Sequence, residues 1–382
     1  MKQLVARAVD GIGEISPDQW ASLDDSDNPF LAHSFLAALE DSKSVATETG
    51  WQPHHLCLFD EQELIAFAPT YIKGHSHGEF VFDWAWADAY QRYGRPYYPK
   101  LLTAVPYSPI QGPRLLVKRG YSHADSIRKT LIEFALEVCE RHELSTWHCN
   151  FVEPRECAEL QRDELLARKD CQFHWHNAGY PSFDAFLAEL KSKKRKNIRR
   201  DRRLVESAGI RFERREGSEI NPEELRFLFA CYQQTFLEHG NHPALNEAFF
   251  RQLIATMPQS VVVILAYREE QPIAMSFFLK GGGRLYGRYW GALENHSGLH
   301  FETAYHQGIE YCIDQGLEVF EPGAQGEHKI NRGFEPVETR SFHHIRDPVF
   351  RDAIARFLDQ ETDWVDRYQD QLQNRSPFRA DE

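Results

Sequence analysis

Apolar positions along the chain fall into two periods, alternating over short runs and recurring every three to four residues over longer ones, and the order of these runs occurs twice. Residues 54–59 alternate weakly, 60–63 form a polar turn, and 64–72 are apolar again, which predicts strand, turn and strand. Residues 80–86, the most aromatic run of the chain, read as a further strand. Ile127, Leu131, Phe134, Ala135 and Val138 then form one stripe of a helix over 124–142, and a strand follows over 144–149. Later, 261–267 and 273–280 flank the turn 268–271, 285–290 is an aromatic strand, 299–315 a helix and 317–321 a strand. Locally, Phe59-Asp-Glu-Gln-Glu-Leu-Ile-Ala66 lies over Tyr267-Arg-Glu-Glu-Gln-Pro-Ile-Ala274. A repeated element order with slight identity points to an internal duplication. The prediction is an α/β protein of two similar domains, each a mixed central sheet flanked by helices: residues 1–170, residues 171–373, and a polar tail over 374–382 expected to fray. Between the copies, 153–171 and 183–205 read as helices, followed by helices over 222–239 and 245–257.

Composition narrows the class. Hydrophobic content of 42% and charged content of 26% are those of a soluble globular protein, and no stretch approaches the length of a membrane span. A net charge of -13 argues against DNA and anionic membranes as general partners. The seven cysteines are scattered without a CxxC pair, which fits reduced thiols and disfavours a metal or a disulfide framework. The start of the chain lacks the apolar core of a signal peptide, so a cytoplasmic location is expected. G-x-S-x-G, P-loop and G-x-G-x-x-G patterns are absent, which disfavours serine hydrolases, P-loop NTPases and dinucleotide-binding dehydrogenases.

Candidate chemistry concentrates at the end of the second copy. Beyond the strand ending at Glu321, the breakers Pro322, Gly323 and Gly326 separate Glu321, Gln325, Glu327, His328, Lys329 and Arg332. Ligands of open α/β sheets gather outside the carboxyl ends of strands, where this stretch lies. Glu321, with His328 as the alternate, is the candidate general base for an amine, and Lys329 or Arg332 would neutralise charge on a tetrahedral intermediate. Tyr289 is a candidate proton donor to a leaving group. Trp84, Trp86 and Trp290 would shape the acceptor site together with Gln325, Glu327 and Arg332. A solvated polar loop is the competing reading of the same residues.

A second feature is electrostatic. Nine of the thirteen residues over 191–203 are Lys or Arg in an otherwise acidic chain. Lys194, Arg195 and Arg199 could cradle phosphates of a nucleotide, a CoA or a tRNA end, or simply form a solvated face. Ser297, Gly298 and His300 open the helix of the second copy and offer backbone N–H groups to a pyrophosphate, or form an ordinary turn. Asp83 and His148 stand at the matching places of the first copy, without an evident partner in the sequence. The histidine pairs 54/55, 174/176 and 343/344 lack a third ligand at metal-binding spacing.

Lys194-Arg-Lys-Asn-Ile-Arg-Arg200, Tyr289-Trp-Gly-Ala292, His300-Phe-Glu302, residues 320–329 and Arg332-Gly-Phe334 together resemble the FemAB-like family, related to peptidoglycan biosynthesis and part of the GNAT acyltransferase superfamily. The resemblance runs from about Ser34 to Phe357 and implies two tandem GNAT-like domains, the second bearing the active site and the first binding substrate or serving structure. It implies an acyltransferase whose co-substrate is an acyl-CoA, as in ordinary GNAT enzymes, or an aminoacyl-tRNA, as in the Fem transferases. Residues 295–300 hold fewer Gly and Arg than the ordinary GNAT phosphate loop, and no long heptad segment marks a coiled-coil arm, so the donor stays open. The expected function is transfer of an acyl or aminoacyl group to the amine of a peptide, amino acid or peptidoglycan precursor. The alternatives are a non-catalytic module that binds tRNA or another polyanion, and an acetyl-CoA-dependent N-acetyltransferase of small molecules.

Overall fold

The computed structural model describes residues 4–324 and 326–379. The chain folds into two compact units, Met1–Asp170 with Glu338–Arg367 and Cys171–Val337 with Tyr368–Glu382. The sequence reading put 338–367 with the second domain, whereas this segment folds with the first.

Eight strands come first: β1 (Val5–Val9), β2 (Trp51–Pro53), β3 (His55–Asp60), β4 (Glu63–Ala68), β5 (Thr70–Lys73), β6 (Lys100–Thr103), β7 (Leu116–Val117) and β8 (Thr146–Val152). β1, β3, β4 and β7 pair antiparallel in that order. β2, β5 and β6 also pair antiparallel, and β6 then runs parallel to β8. The helix Ala124–Arg141 supplies the crossover that a parallel pair requires. Its predicted stripe is buried, with Ile127, Leu131, Ala135 and Val138 in one cluster with Leu56, Leu58 and Ile65. Each Leu, Ile or Val among them contributes roughly 1.5–3 kcal/mol when fully buried relative to exposure.

β9 (Leu166–His176) carries the chain into the second unit, where β10 (Ile210–Glu216), β11 (Val261–Arg268), β12 (Gln271–Gly281) and β13 (Arg284–Ala292) pair antiparallel in sequence. β14 (Val319–Glu321) lies parallel to β13, across a helical segment from Leu299 to Gln315 with a π-helical turn at Glu302–His306. The end of β9 pairs antiparallel with β14, and β15 (Glu335–Ile345) pairs antiparallel with β8. Both units therefore show strand, helical crossover, parallel strand and antiparallel closing strand. The repeat of strand, helix and strand is the order the sequence predicts, but in the first unit the strand before the helix in this parallel pair is β6, not residues 80–86, and neither closing strand is among those predicted.

Three local expectations fail for physical reasons. Residues 80–86 are not a strand: Phe80 takes a left-handed backbone, and Trp84–Arg92 is a helix. Ala85, Ala87 and Ala89 favour helix, and Trp86 and Tyr90, one turn apart, are buried against Phe350 and Ile354. Residues 153–171 are mostly not helical, since after Cys157–Leu160 the chain extends into β9. The helix expected over 183–205 is two, Phe183–Glu189 and Ser192–Ser207, parted where Leu190 bridges to Phe378 and the Lys191 N–H donates to Pro377 O at 2.8 Å. The polar tail is thereby pinned as far as Arg379, whose N–H donates to Glu189 O at 3.0 Å.

Among the described residues no helix is long and apolar enough to cross a membrane.

Candidate functional site

β13 and β14 pair over three positions only, Arg284 with Val319, Leu285 with Phe320 and Tyr286 with Glu321. Beyond this point β13 continues to Ala292, while the other chain turns away at Pro322 and at Gly323, whose φ of 97° favours glycine. The last residue of the short strand, Glu321, is 3% exposed. Arg284 Nη1 donates to its Oε1 at 2.7 Å, and Oε2 accepts no hydrogen bond. Phe320 faces Trp175, so the continuing register sets His174 beside Glu321, with Nε2 3.7 Å from Oε2. Burial raises the Glu321 carboxyl to about 7, against the opposing pull of Arg284. Burial also lowers His174 to about 3, so it faces Glu321 as a neutral ring.

The turn Glu327–Arg332 follows, and it groups several of the predicted residues. Lys329 is 2% exposed and donates to Gly323 O at 2.7 Å, and burial lowers its ammonium to about 7. His328 Nε2 lies 3.0 Å from the Tyr305 hydroxyl. Arg332 covers the Phe301 ring at 3.4 Å and donates to His328 O at 2.9 Å. His300 sits between Trp290 and Tyr305, with ring centroids 4.7 and 5.4 Å away, and burial lowers it to about 4. His300, Tyr305, His328, Lys329, Arg332 and Trp290 thus form one neighbourhood of rings and nitrogen groups beyond the strand separation.

Other predicted residues go elsewhere. A register shift in the β12–β13 pairing resets the alternation, and Tyr289 packs its ring against Tyr232 and Phe250, on the strand face opposite Trp290. Glu327 accepts from Tyr368 at 2.8 Å and lies 3.4 Å from Arg375, which ties it to the C-terminal segment. Lys194 binds Asn331, Arg195 donates to Ala188 O at 3.2 Å, and Arg199 pairs with Asp184 at 3.0 Å, so the three cations point to three places. Ser297 is exposed. Gly298, at φ 86°, lets the start of its helix approach the basic helix, since a Cβ there would lie 3.0 Å from Asp201 O. Trp84 and Trp86 belong to the first unit, Trp84 exposed and Trp86 buried against His148 and His343. Gln325 lies outside the described residues.

Sequence reasoning missed Arg284, His174 and Tyr305. The His174/His176 alternation was the available signal: alternate residues share one face of a strand, and a buried partner for one of them was therefore due.

In the first unit, Asp83 and His148 do have partners. Lys100 Nζ donates to Glu79 Oε2 at 2.8 Å, to Ser76 Oγ at 3.0 Å and to Asp83 Oδ2, which also accepts from the Tyr97 hydroxyl. His148 Nδ1 lies 2.6 Å from His343 Nδ1. These contacts link residues far apart in sequence, so no local pattern announces them.

The FemAB-like family model, described as peptidoglycan biosynthesis/recognition, matches residues 11–380. This chain belongs to that family. By structure the FemAB-like chain is similar to FemX, at 11% identity with a TM-score of 0.55, covering 92% of this chain and 100% of FemX. It is also similar to L-PGS from Bacillus licheniformis, at 11% identity with a TM-score of 0.51, covering 85% of this chain and 96% of that one. A third similar structure is the C-terminal DUF2156 domain assigned to a lysylphosphatidylglycerol synthetase of Agrobacterium fabrum, at 10% identity and TM-score 0.53, covering 90% and 96%. No curated protein matches the chain by sequence. The FemAB-like chain thus shares its fold, over most of its length, with these three structures.

Proposed function

We propose that this FemAB-like protein transfers an acyl or aminoacyl group from an activated donor to the amine of a peptide, amino acid or peptidoglycan precursor, at the strand separation of the second unit. The observation that carries the reading is Glu321: a buried carboxyl, held near neutrality, with one oxygen anchored by Arg284 and the other without a donor. A base of this strength suits removal of a proton from an attacking ammonium at neutral pH. His328, oriented by Tyr305, is the alternate base. Lys329 and Arg332 would stabilise charge developing on the tetrahedral carbon's oxygen. Tyr305 takes over the leaving-group role first given to Tyr289, whose ring faces the apolar side. The donor is an acyl-CoA or an aminoacyl-tRNA.

Turnover of Glu321→Gln tests the base directly. Loss of about 100-fold or more in kcat, with donor affinity little changed, is the expected result. Full activity in that variant would reject the assignment. Stabilisation of the folded chain by acetyl-CoA, or instead by aminoacyl-tRNA, separates the donors.

One feature favours a second reading, a polyanion-binding module. Lys193, Lys196 and Arg203 on the basic helix are exposed and have no ion-pair partner among the described residues. Under that reading, reversal of Lys193 and Lys196 to Glu abolishes a steeply salt-dependent RNA affinity while Glu321→Gln changes nothing.

A further inference from the structure

The helix Pro348–Gln373 carries two apolar stripes, and the core covers only one of them. Phe350, Ile354, Leu358 and Val365 are buried, the first three in one cluster with Trp86 and Tyr90. Val349, Ala353, Phe357 and Trp364 recur at helical spacing on the adjoining face and stand in solvent. Val349 is 75%, Phe357 42% and Trp364 56% exposed. Two further exposed rings extend the patch. Arg168 donates both to Phe82 O at 2.8 Å and to Glu361, which stands between Phe357 and Trp364 on the helix. Tyr93 meets the Phe350 ring edge-on at 5.8 Å. All these residues belong to the first unit. A contiguous exposed patch of rings on a folded chain marks a contact surface.

Charge decides what covers it. Along the solvent edge of the exposed stripe run Asp352, Arg356, Asp363 and Arg367, alternating in sign. None of the four forms an ion pair among the described residues, and Arg367 only donates its Nε–H to Asp363 O at 3.0 Å. A lipid surface of one sign, a nucleic acid or a uniformly basic segment would meet like charge at every second position. A row that reads minus, plus, minus, plus is matched by the same row reversed, which is a second copy of this helix running antiparallel. With the two-fold axis between Gln360 and Glu361, Phe357 lies opposite the partner's Trp364. Arg356 then stands two residues, about 3 Å along the axis, from the level of the partner's Asp363, and Arg367 equally from the partner's Asp352. Rings at the centre with ion pairs at the rim is the anatomy of a specific interface.

We infer that two copies of this chain associate through antiparallel contact of the helix Pro348–Gln373, with Phe357 and Trp364 at the centre and Arg356 against the partner's Asp363 fixing the register. The contact uses the same patch on both copies, so it closes on itself and does not propagate. One helix face with two flanking rings is a small interface, and the dimer therefore forms reversibly at about micromolar concentrations.

Sedimentation velocity of the full chain between about 1 and 100 µM tests this. The native chain should pass from monomer to dimer across that range, and Trp364→Asp should remain monomeric with unchanged melting. Arg356→Asp and Asp363→Arg each set like charges opposite one another twice, and each should weaken the dimer about ten-fold or more. An equimolar mixture of those two variants should restore it, because every reversed charge then meets its opposite. A native chain that stays monomeric, a dimer untouched by Trp364→Asp, or a mixture no tighter than its components would each overturn the inference. A monomer that instead pellets with phosphatidylcholine vesicles would assign the stripe to a lipid surface and overturn it equally. Should Trp364→Asp melt early, the mixture decides, since both of its reversals lie on exposed side chains.

Discussion

The two strand junctions use one register and opposite electrostatics: Arg284 stands two residues before Tyr286, which faces Glu321, and Lys100 two before Leu102, which faces His148. In the second unit a single buried carboxyl, Glu321, meets a guanidinium whose side chain is 42% exposed, and one of its oxygens has no donor. In the first, Lys100 is fully buried between two carboxylates and a tyrosine, and a neutral histidine pair occupies the position of the carboxyl. The difference shows what a duplicated scaffold leaves free. Backbone pairing fixes where three side chains meet, and burial plus charge count decides whether the meeting makes a titratable base or a balanced ionic core.

The largest effect is expected from Lys100→Met. Removing the buried cation leaves Glu79 and Asp83 uncompensated, which should cost about 3–5 kcal/mol in urea unfolding. A loss below about 1 kcal/mol would mean that the first junction is not held together by charge, and the contrast would fail. Next comes the pH profile of transfer. With Glu321 at about 7, turnover should fall roughly ten-fold per pH unit below neutrality, and Glu321→Gln should flatten that limb along with lowering it. A profile with its acidic limb near 4.5, the ordinary value of the group, would point to a solvated carboxylate instead. Arg284→Met should be milder for stability, about 1 kcal/mol or less, because its side chain is well exposed. The same change should move the acidic limb of the profile to higher pH, since Arg284 is the main group favouring the ionised form.

The most diagnostic effect lies in stability against pH. A carboxyl whose folded value stands at about 7, above its ordinary 4.5, keeps a proton in the fold that the unfolded chain releases. Stability therefore falls as pH rises from 4.5 towards 7. Glu79 is likewise raised to about 7 by burial and carries the same sign. Chemical denaturation across this window should show each of Glu321→Gln and Glu79→Gln removing its own share of the slope. If only one does, the two junctions differ in burial as well as in charge.

Periodicity and element order alone determined the duplicated α/β plan, because local side-chain spacing reports which face of an element is buried. Pro322, Gly323 and Gly326 likewise marked the turn that groups His328, Lys329 and Arg332, since chain breakers act locally. Short apolar runs were ambiguous, and residues 80–86 became a loop and a helix because Trp86 and Tyr90 are buried one turn apart, a fact of packing. Tertiary structure alone decided the partners: His174 beside Glu321, Lys100 between Glu79 and Asp83, His343 against His148, and Tyr289 turned to the apolar side by one register shift. Strand register joins residues tens to hundreds of positions apart, and a one-residue slip reverses every face, so these contacts exist only once the whole sheet has formed.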